Sequence, residues 1–130
     1  MDATAKVVTR SEAPVLFVRA EGGPAGAPAA FARLEAALGG PRGRRFWGWF
    51  HRGEYRACAE TKPGDDASRL ALEAGTLPAG RFARARHAGP APEIHRTFLA
   101  LIERFGTDAS RADLEEYRRE DEVYALHPVP

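Results

Sequence analysis

Residues 76–105, TLPAGRFARARHAGPAPEIHRTFLALIERF, constrain the fold most because they specify a strand, a turn and a helix in succession. Pro78 and Gly80 favour a turn at the start, since proline fixes one backbone dihedral and glycine accepts a positive one. The alternation over residues 81–87 predicts a strand that contains Phe82. The spacing of the later apolar residues predicts a helix with one buried face: Ile94, Phe98, Leu101, Ile102 and Phe105.

A similar strand and helix precede this segment. Residues 6–8 and 15–20 are rich in β-branched and aromatic side chains, which favours extended structure, and Pro14 predicts a bend, an edge strand or two short strands. The glycines and proline at 39–41 end a predicted helix. Its apolar face contains Ala27, Ala30, Phe31, Leu34, Ala37 and Leu38.

Residues 46–60 have the pattern of a β-hairpin, FWGWF and YRACAE joined by a turn at 51–54. Alternation places Phe46 and Phe50 on one face with Gly48 between them, and Trp47 and Trp49 on the other. Both faces are aromatic, so neither is simply solvent-facing. The sequence leaves open which of them lines a cleft.

The remaining elements complete two similar halves. A loop is predicted at 61–68, and short strands are predicted at 69–74, 114–117 and 123–129. The order is β-α-β-β followed by β-α-β-β, and FARLEAAL in the first half resembles FLALIERF in the second. We therefore predict an α+β fold of pseudo-duplicated β-α-β-β units, with two helices packed on an antiparallel sheet.

Length and charge limit the classes of function. The 130 residues suit one domain spanning 1–130, and a net charge of +1 gives no electrostatic argument for a direct nucleic-acid or membrane partner. Two basic clusters are interpreted as solvated rather than as phosphate-binding patches. These clusters contain Arg42, Arg44 and Arg45, and Arg81, Arg84 and Arg86.

The sequence shows neither an apolar segment long enough to cross a bilayer nor a hydrophobic signal core, which favours the cytoplasm. The single cysteine, Cys58, cannot form an internal disulfide and is interpreted as a small buried residue on a strand.

No motif for metal or cofactor chemistry is present. The four histidines form no recognised metal-ligand spacing, and the glycines at 22–28 lack the Lys-Ser/Thr ending of a phosphate loop. We therefore predict neither a metal site nor a cofactor.

LPAGRFARARHAGP followed by EIHRTFLALIERF resembles the second half of the GyrI-like, or AraC-type effector-binding, domain family. Glu115 with Tyr117, and Pro128 with Val129 at the end, continue that resemblance. FARLEAALGG and RRFWGWFHRGEYRACAE extend it over essentially the whole chain. It implies a tandem architecture, termed the SHS2 fold, in which a single GyrI-like domain leaves no residues for a helix-turn-helix.

An aromatic and acidic constellation is the candidate binding site. Glu115 and Tyr117 lie two residues apart in a predicted strand and so point to the same side, whereas Glu116 points to the other. The resemblance makes Glu115 the leading ligand-binding residue. We expect aromatic residues of both halves to reach the same region: Tyr55, Trp47 or Trp49, Phe82 and Tyr124.

The alternative is that these carboxylates are solvated charges and the aromatic residues are core. In many members of the family an acidic residue precedes the final Pro-Val, and Tyr124 stands there in this chain. A single carboxylate favours singly charged or neutral ligands.

Three functions follow from the resemblance. The first is stand-alone binding of amphipathic small molecules, including cations, for sequestration or sensing, with no catalytic residue. The second is hydrolysis of cyclopropane-containing natural products, with Glu115 as general base and Tyr117 or Tyr124 orienting the ligand or water. The third is a protein-interaction module that inhibits a partner such as a topoisomerase; a protein partner or a homodimer stays open.

Overall fold

The computed structural model describes residues 5–119 and 122–130. Within these residues, eight strands and three α-helices are formed, with single 3-10 turns at Gly23–Gly26 and Ala91–Glu93. The elements in chain order are β1 (Lys6–Arg10), β2 (Ala13–Arg19), α1 (Ala27–Leu38), β3 (Phe46–His51), β4 (Glu54–Glu60), α2 (Ala67–Leu70), β5 (Glu73–Leu77), β6 (Gly80–Arg86), α3 (Ile94–Phe105), β7 (Asp113–Arg119) and β8 (Glu122–Pro128).

The strands form one curled antiparallel sheet in the order β1-β6-β8-β7-β3-β4-β2-β5. The predicted α+β class and the antiparallel sheet are confirmed. Each half has one strand more than the predicted β-α-β-β order: the segment around Pro14 forms two strands, and β5 follows the position at which a strand was predicted. These strands are exchanged between the halves, because β1 pairs with β6 of the second half and β5 pairs with β2 of the first. The repeating unit is therefore β-β-α-β-β, and β3 and β7 join the halves at the centre of the sheet.

The helices α1 and α3 pack on one face of the sheet, as their apolar spacing predicts. Leu34 of α1 and Leu101 of α3 are completely buried, each among small or apolar side chains of the strands below. Gly39 ends α1 in the left-handed conformation, at a φ of 77°. The two helices cover the two halves separately, so the central strands β3 and β7 lie between them.

The opposite face of the sheet curls on itself to form its own core, which includes Trp47, Cys58 and Phe82. The curl is visible at Arg10: it belongs to the edge strand β1, yet its guanidinium lies 4.5 Å from the ring of Trp47 on central β3. Burial raises the pKa of the Cys58 thiol to about 12, so it is an unreactive apolar side chain, as predicted.

Two local predictions had different outcomes. The hairpin turn between β3 and β4 is confirmed, and Arg52 and Gly53 both have the positive φ that a tight two-residue turn requires. The strand predicted at 69–74 is wrong in its position. The Asp66 side chain accepts a hydrogen bond from the Arg69 amide and begins the short helix α2, and the strand follows only after it.

None of the helices in the described part of the chain is long and apolar enough to cross a membrane.

Candidate functional site

The centre of the helix-bearing face is built around Gly48 and Glu115, which lie opposite each other where β3 pairs with β7. A Cβ atom placed on Gly48 would lie 2.1 Å from Tyr55 Oη and 2.5 Å from Glu115 Oε1. Gly48 does not have a positive φ. The glycine is therefore required for space rather than for backbone conformation, and it leaves room for a tyrosine and a carboxylate to meet.

Two phenols bind the same carboxylate oxygen. Tyr55 Oη donates to Glu115 Oε1 at 2.7 Å, and Tyr117 Oη donates to that oxygen at 2.6 Å. Hydrogen bonds to an ionised acceptor are short and about twice as strong as neutral ones. Three residues that the sequence placed in the candidate site, Glu115, Tyr117 and Tyr55, are thus in direct contact.

Burial, and after it the charge of Glu115, raise the pKa of both Tyr55 and Tyr117 well above the ordinary phenol value. Both hydroxyls are therefore protonated donors at neutral pH. They fix the position of the carboxylate without neutralising its charge.

Among the side chains that the structure describes, none that is cationic lies within 4.0 Å of the Glu115 carboxylate. Glu115 is also half-buried. A carboxylate in such surroundings attracts a cation more strongly than one in bulk water, because the local dielectric is lower.

Phe31 of α1 packs against this cluster. Its ring makes edge-on contacts with Tyr117, at 5.4 Å between centroids, and with Tyr55, at 6.3 Å. Sequence analysis placed Phe31 on the buried face of α1 but did not connect it to the site. Only the tertiary packing of α1 on β4 shows that connection.

A cavity of about 640 Å³ opens beside these rings, lined by Phe31, Glu35, Pro41, Arg44, Phe46, Tyr117 and Arg118. Glu115 is not among the lining residues. Tyr117 joins the two, because its ring lines the cavity while its hydroxyl binds Glu115. Arg44 is held at this cavity by both oxygens of Asp65, at 2.5 and 2.9 Å.

The other four candidate residues do not share the region of Glu115, and that expectation is wrong. Trp47 and Trp49 flank Gly48 in β3 and so point to the opposite face, where Tyr124 and Phe82 also lie. Trp47 and Phe82 are buried there as core. The guanidinium groups of Arg56 and Arg84 cover the rings of Trp49 and Tyr124, at 4.1 and 4.0 Å.

Within residues 5–119 and 122–130, no three side chains of His, Cys, Asp or Glu are grouped so as to hold a metal ion.

Comparison with known proteins gives a fold rather than a family. No protein-family model and no curated protein matches the chain. Among solved structures, the EcmrR C-terminal domain is similar with a TM-score of 0.73 and 13% identity, over 98% of this chain and 97% of that chain. A hydrolase from Listeria innocua is similar with a TM-score of 0.64 and 15% identity, over 99% and 93%.

A third similar structure is that of SAV2435 bound to tetraphenylphosphonium, with a TM-score of 0.63 and 12% identity, over 97% of this chain and 93% of that chain. At these identities the comparisons show that the chain has the same fold as these proteins over nearly its whole length.

Proposed function

We propose that this chain is a GyrI-like ligand-binding domain that takes up small amphipathic cations in the cleft between α1 and the central strands. One observation carries the proposal: Glu115 is a half-buried carboxylate that two neutral phenols hold in place and that has no cationic partner among the described side chains. A lipophilic cation would supply the missing charge, and the rings of Phe31, Phe46 and Tyr117 would contact its apolar groups.

The fold comparison supports this proposal. A protein of the same fold is SAV2435 bound to tetraphenylphosphonium, an aromatic cation of the class inferred here. The proposed site differs from the one expected from the sequence, because Trp47, Trp49, Phe82 and Tyr124 are not part of it. It consists of Glu115, Tyr55 and Tyr117 with the residues of the adjacent cavity.

Titration with tetraphenylphosphonium, followed by calorimetry, tests the proposal. Glu115→Gln keeps the size of the side chain and an acceptor for the phenols but removes the charge. We expect it to weaken binding by about tenfold or more, since close charge pairs at binding sites contribute at least about 1.5 kcal/mol.

Two controls separate charge from shape. Glu35→Gln removes another carboxylate at the same cavity, one that does not contact the phenols, and should change the affinity little. Triphenylphosphine oxide, a neutral ligand with similar rings, should bind the native protein and Glu115→Gln equally. An unchanged affinity for the cation in Glu115→Gln would refute the role of the carboxylate.

Hydrolysis is the second candidate. The same geometry supports it: Glu115 would act as general base toward water, and Tyr117, which donates a hydrogen bond to the Glu115 carboxylate, would orient it. A hydrolase from Listeria innocua has the same fold. Incubation with a cyclopropane-bearing ligand, followed by mass spectrometry, distinguishes the two functions: addition of one water to the ligand, lost in Glu115→Gln, indicates hydrolysis.

Inhibition of a protein partner such as a topoisomerase, and homodimer formation, stay predictions from the sequence. Co-purification of a larger subunit would be their test.

A further inference from the structure

Glu116, the residue after Glu115, is the centre of a second charged cluster on the opposite face of the sheet. It is only 5% exposed and lies opposite Trp47 on β3 and Tyr124 on β8. A carboxylate this deeply buried requires partners, and here its partners are arginines.

Three guanidinium groups form ion pairs with Glu116. Arg118 Nε lies 3.4 Å from Oε2, Arg84 Nη2 lies 3.5 Å from Oε1, and Arg45 Nη1 lies 3.8 Å from Oε2. The guanidinium group of a fourth arginine, Arg10, lies over the ring of Trp47 and interacts electrostatically with Glu116. We call these four arginines the arginine cluster. Arg10 belongs to β1, Arg84 to β6 and Arg118 to β7, and Arg45 directly precedes β3.

Among the residues that the structure describes, the arginine cluster contains more positive charge than the carboxylates near it contain negative charge. The Glu122 carboxylate accepts a hydrogen bond from Tyr124 Oη at 2.6 Å and brings a second negative charge to this face. The four arginines of the cluster are thus accompanied by two glutamates. Like charges at this density repel one another unless counter-charge is supplied. Within the described residues, the four guanidinium groups of the cluster therefore outnumber these two carboxylates.

Arg10 provides independent evidence, because its buried Nε atom lacks a hydrogen-bond acceptor among the described residues. Burial lowers the pKa of the Arg10 guanidinium more than Glu116 raises it. A buried donor without an acceptor costs free energy, and an added anion would satisfy it.

The cluster is also accessible. The side chains of Arg45 and Arg118 are 63% and 45% exposed and that of Arg84 is 20% exposed, whereas Glu116 lies beneath them. Glu116 thus spreads the guanidinium groups from below and leaves their outer N–H donors open to solvent. Planar guanidinium groups in this arrangement match the oxygens of phosphate.

We propose that the arginine cluster is a binding site for a small phosphate-bearing ligand with at least two negative charges. A small ligand is favoured over a nucleic acid because the net charge of the chain is only +1, which gives little long-range attraction for a polyanion. The site lies on the other face of the sheet from Glu115, and Arg118 is the one residue of the cluster that also lines the cavity proposed for cations.

Calorimetric titration with inorganic pyrophosphate, in a low-salt buffer free of divalent cations, tests this proposal. Arg118→Gln and Arg45→Gln are exposed replacements that should preserve the fold. We expect each to weaken pyrophosphate binding by about tenfold, the value of one lost hydrogen-bonded charge contact. In a Trp49→Phe variant, pyrophosphate should also change the fluorescence of Trp47, because Arg10 lies over that ring.

Arg33→Gln is the matched control, since it removes an equal charge from an exposed position of α1. It should leave the affinity for pyrophosphate unchanged, as should Glu115→Gln. An equal loss in Arg33→Gln and Arg118→Gln would show unspecific attraction and overturn the proposal. Absence of binding at low salt, or tighter binding of a single-stranded oligonucleotide than of pyrophosphate, would overturn it as well.

Discussion

Glu115 and Glu116 are consecutive, chemically identical residues on one strand, yet the sheet gives them opposite surroundings. Glu115 faces the helices, where two phenols bind it and no described cation lies nearby. Glu116 faces the other side, where three arginines form ion pairs with it. In the described part of the chain, Glu115 thus has no cationic partner, whereas Glu116 has three.

The difference arises from the neighbours that the register provides. Glu115 lies opposite Gly48, whose missing side chain admits Tyr55. Glu116 lies opposite Trp47, a large apolar side chain that limits access to water. A shift of one residue along the strand therefore changes the electrostatic surroundings of a carboxylate.

The largest predicted effect on stability comes from a substitution of Gly48, the residue opposite Glu115. In Gly48→Ala the new methyl group would overlap Tyr55 Oη and Glu115 Oε1, at 2.1 and 2.5 Å. We expect a loss of about 3 kcal/mol in the free energy of unfolding, from overpacking and displaced hydrogen bonds. Urea unfolding measures this loss, and tetraphenylphosphonium binding should fall with it.

A second substitution checks the cause. Tyr55→Phe removes the hydroxyl nearest the new methyl group, so adding Gly48→Ala to Tyr55→Phe should cost less than adding it to the native chain. Equal costs in the two backgrounds would mean that the loss has another origin, such as a change in strand propensity.

The next prediction compares one substitution at the two neighbouring positions. Glu116→Gln leaves three arginines without their counter-charge, and we expect it to lower the free energy of unfolding by about 2 kcal/mol, less than for a fully buried pair because the arginines are partly exposed. Glu115→Gln strands no cation and still accepts from the phenols, so its cost should stay below about 1 kcal/mol.

Urea unfolding at low and high salt measures both variants. Added salt should partly restore Glu116→Gln, because it screens the repulsion among the arginines, and should leave the smaller loss in Glu115→Gln unchanged. A larger loss at Glu115 than at Glu116 would reverse the proposed division between a binding carboxylate and a structural one.

Sequence alternation was sufficient to assign faces within a strand. It placed Glu115 with Tyr117, placed Glu116 on the other side, and separated Gly48 from Trp47; all three statements agree with the pairing of β3 with β7. Alternation cannot determine which faces of different strands coincide, because that depends on register between distant segments.

Tyr124 shows this limit. It was expected beside Glu115, but the register of β7 with β8 places it opposite Glu116.

The arginine cluster shows another limit. Arg45 and Arg84 belong to separate basic segments that local sequence describes as solvated, and pairing across three strands together with the curl of the sheet gathers them with Arg10. The short helix α2 is too brief for any apolar periodicity.

The smallest predicted effect distinguishes the two faces through their tyrosines. The pKa values of Tyr55 and Tyr117 are raised mainly by burial, whereas a hydrogen bond to Glu122 is the main cause that raises the pKa of Tyr124. A raised phenol pKa stabilises the folded chain fully below the unfolded value of about 10, and that contribution is lost as the pH rises beyond it.

Between pH 8 and 10.5, each of the two buried phenols should therefore reduce the free energy of unfolding by roughly 0.8 kcal/mol. As the pH rises, the absorbance of phenolate should first increase by the amount expected for one tyrosine, Tyr124. Tyr55 and Tyr117 should ionise only as the chain unfolds. Tyr124→Phe should remove that early step, and Tyr117→Phe should leave it intact and reduce the alkaline loss of stability. If Tyr117→Phe removed the early step instead, the phenols beside Glu115 would be open to solvent, and the contrast between the two carboxylates would rest on the arginines alone.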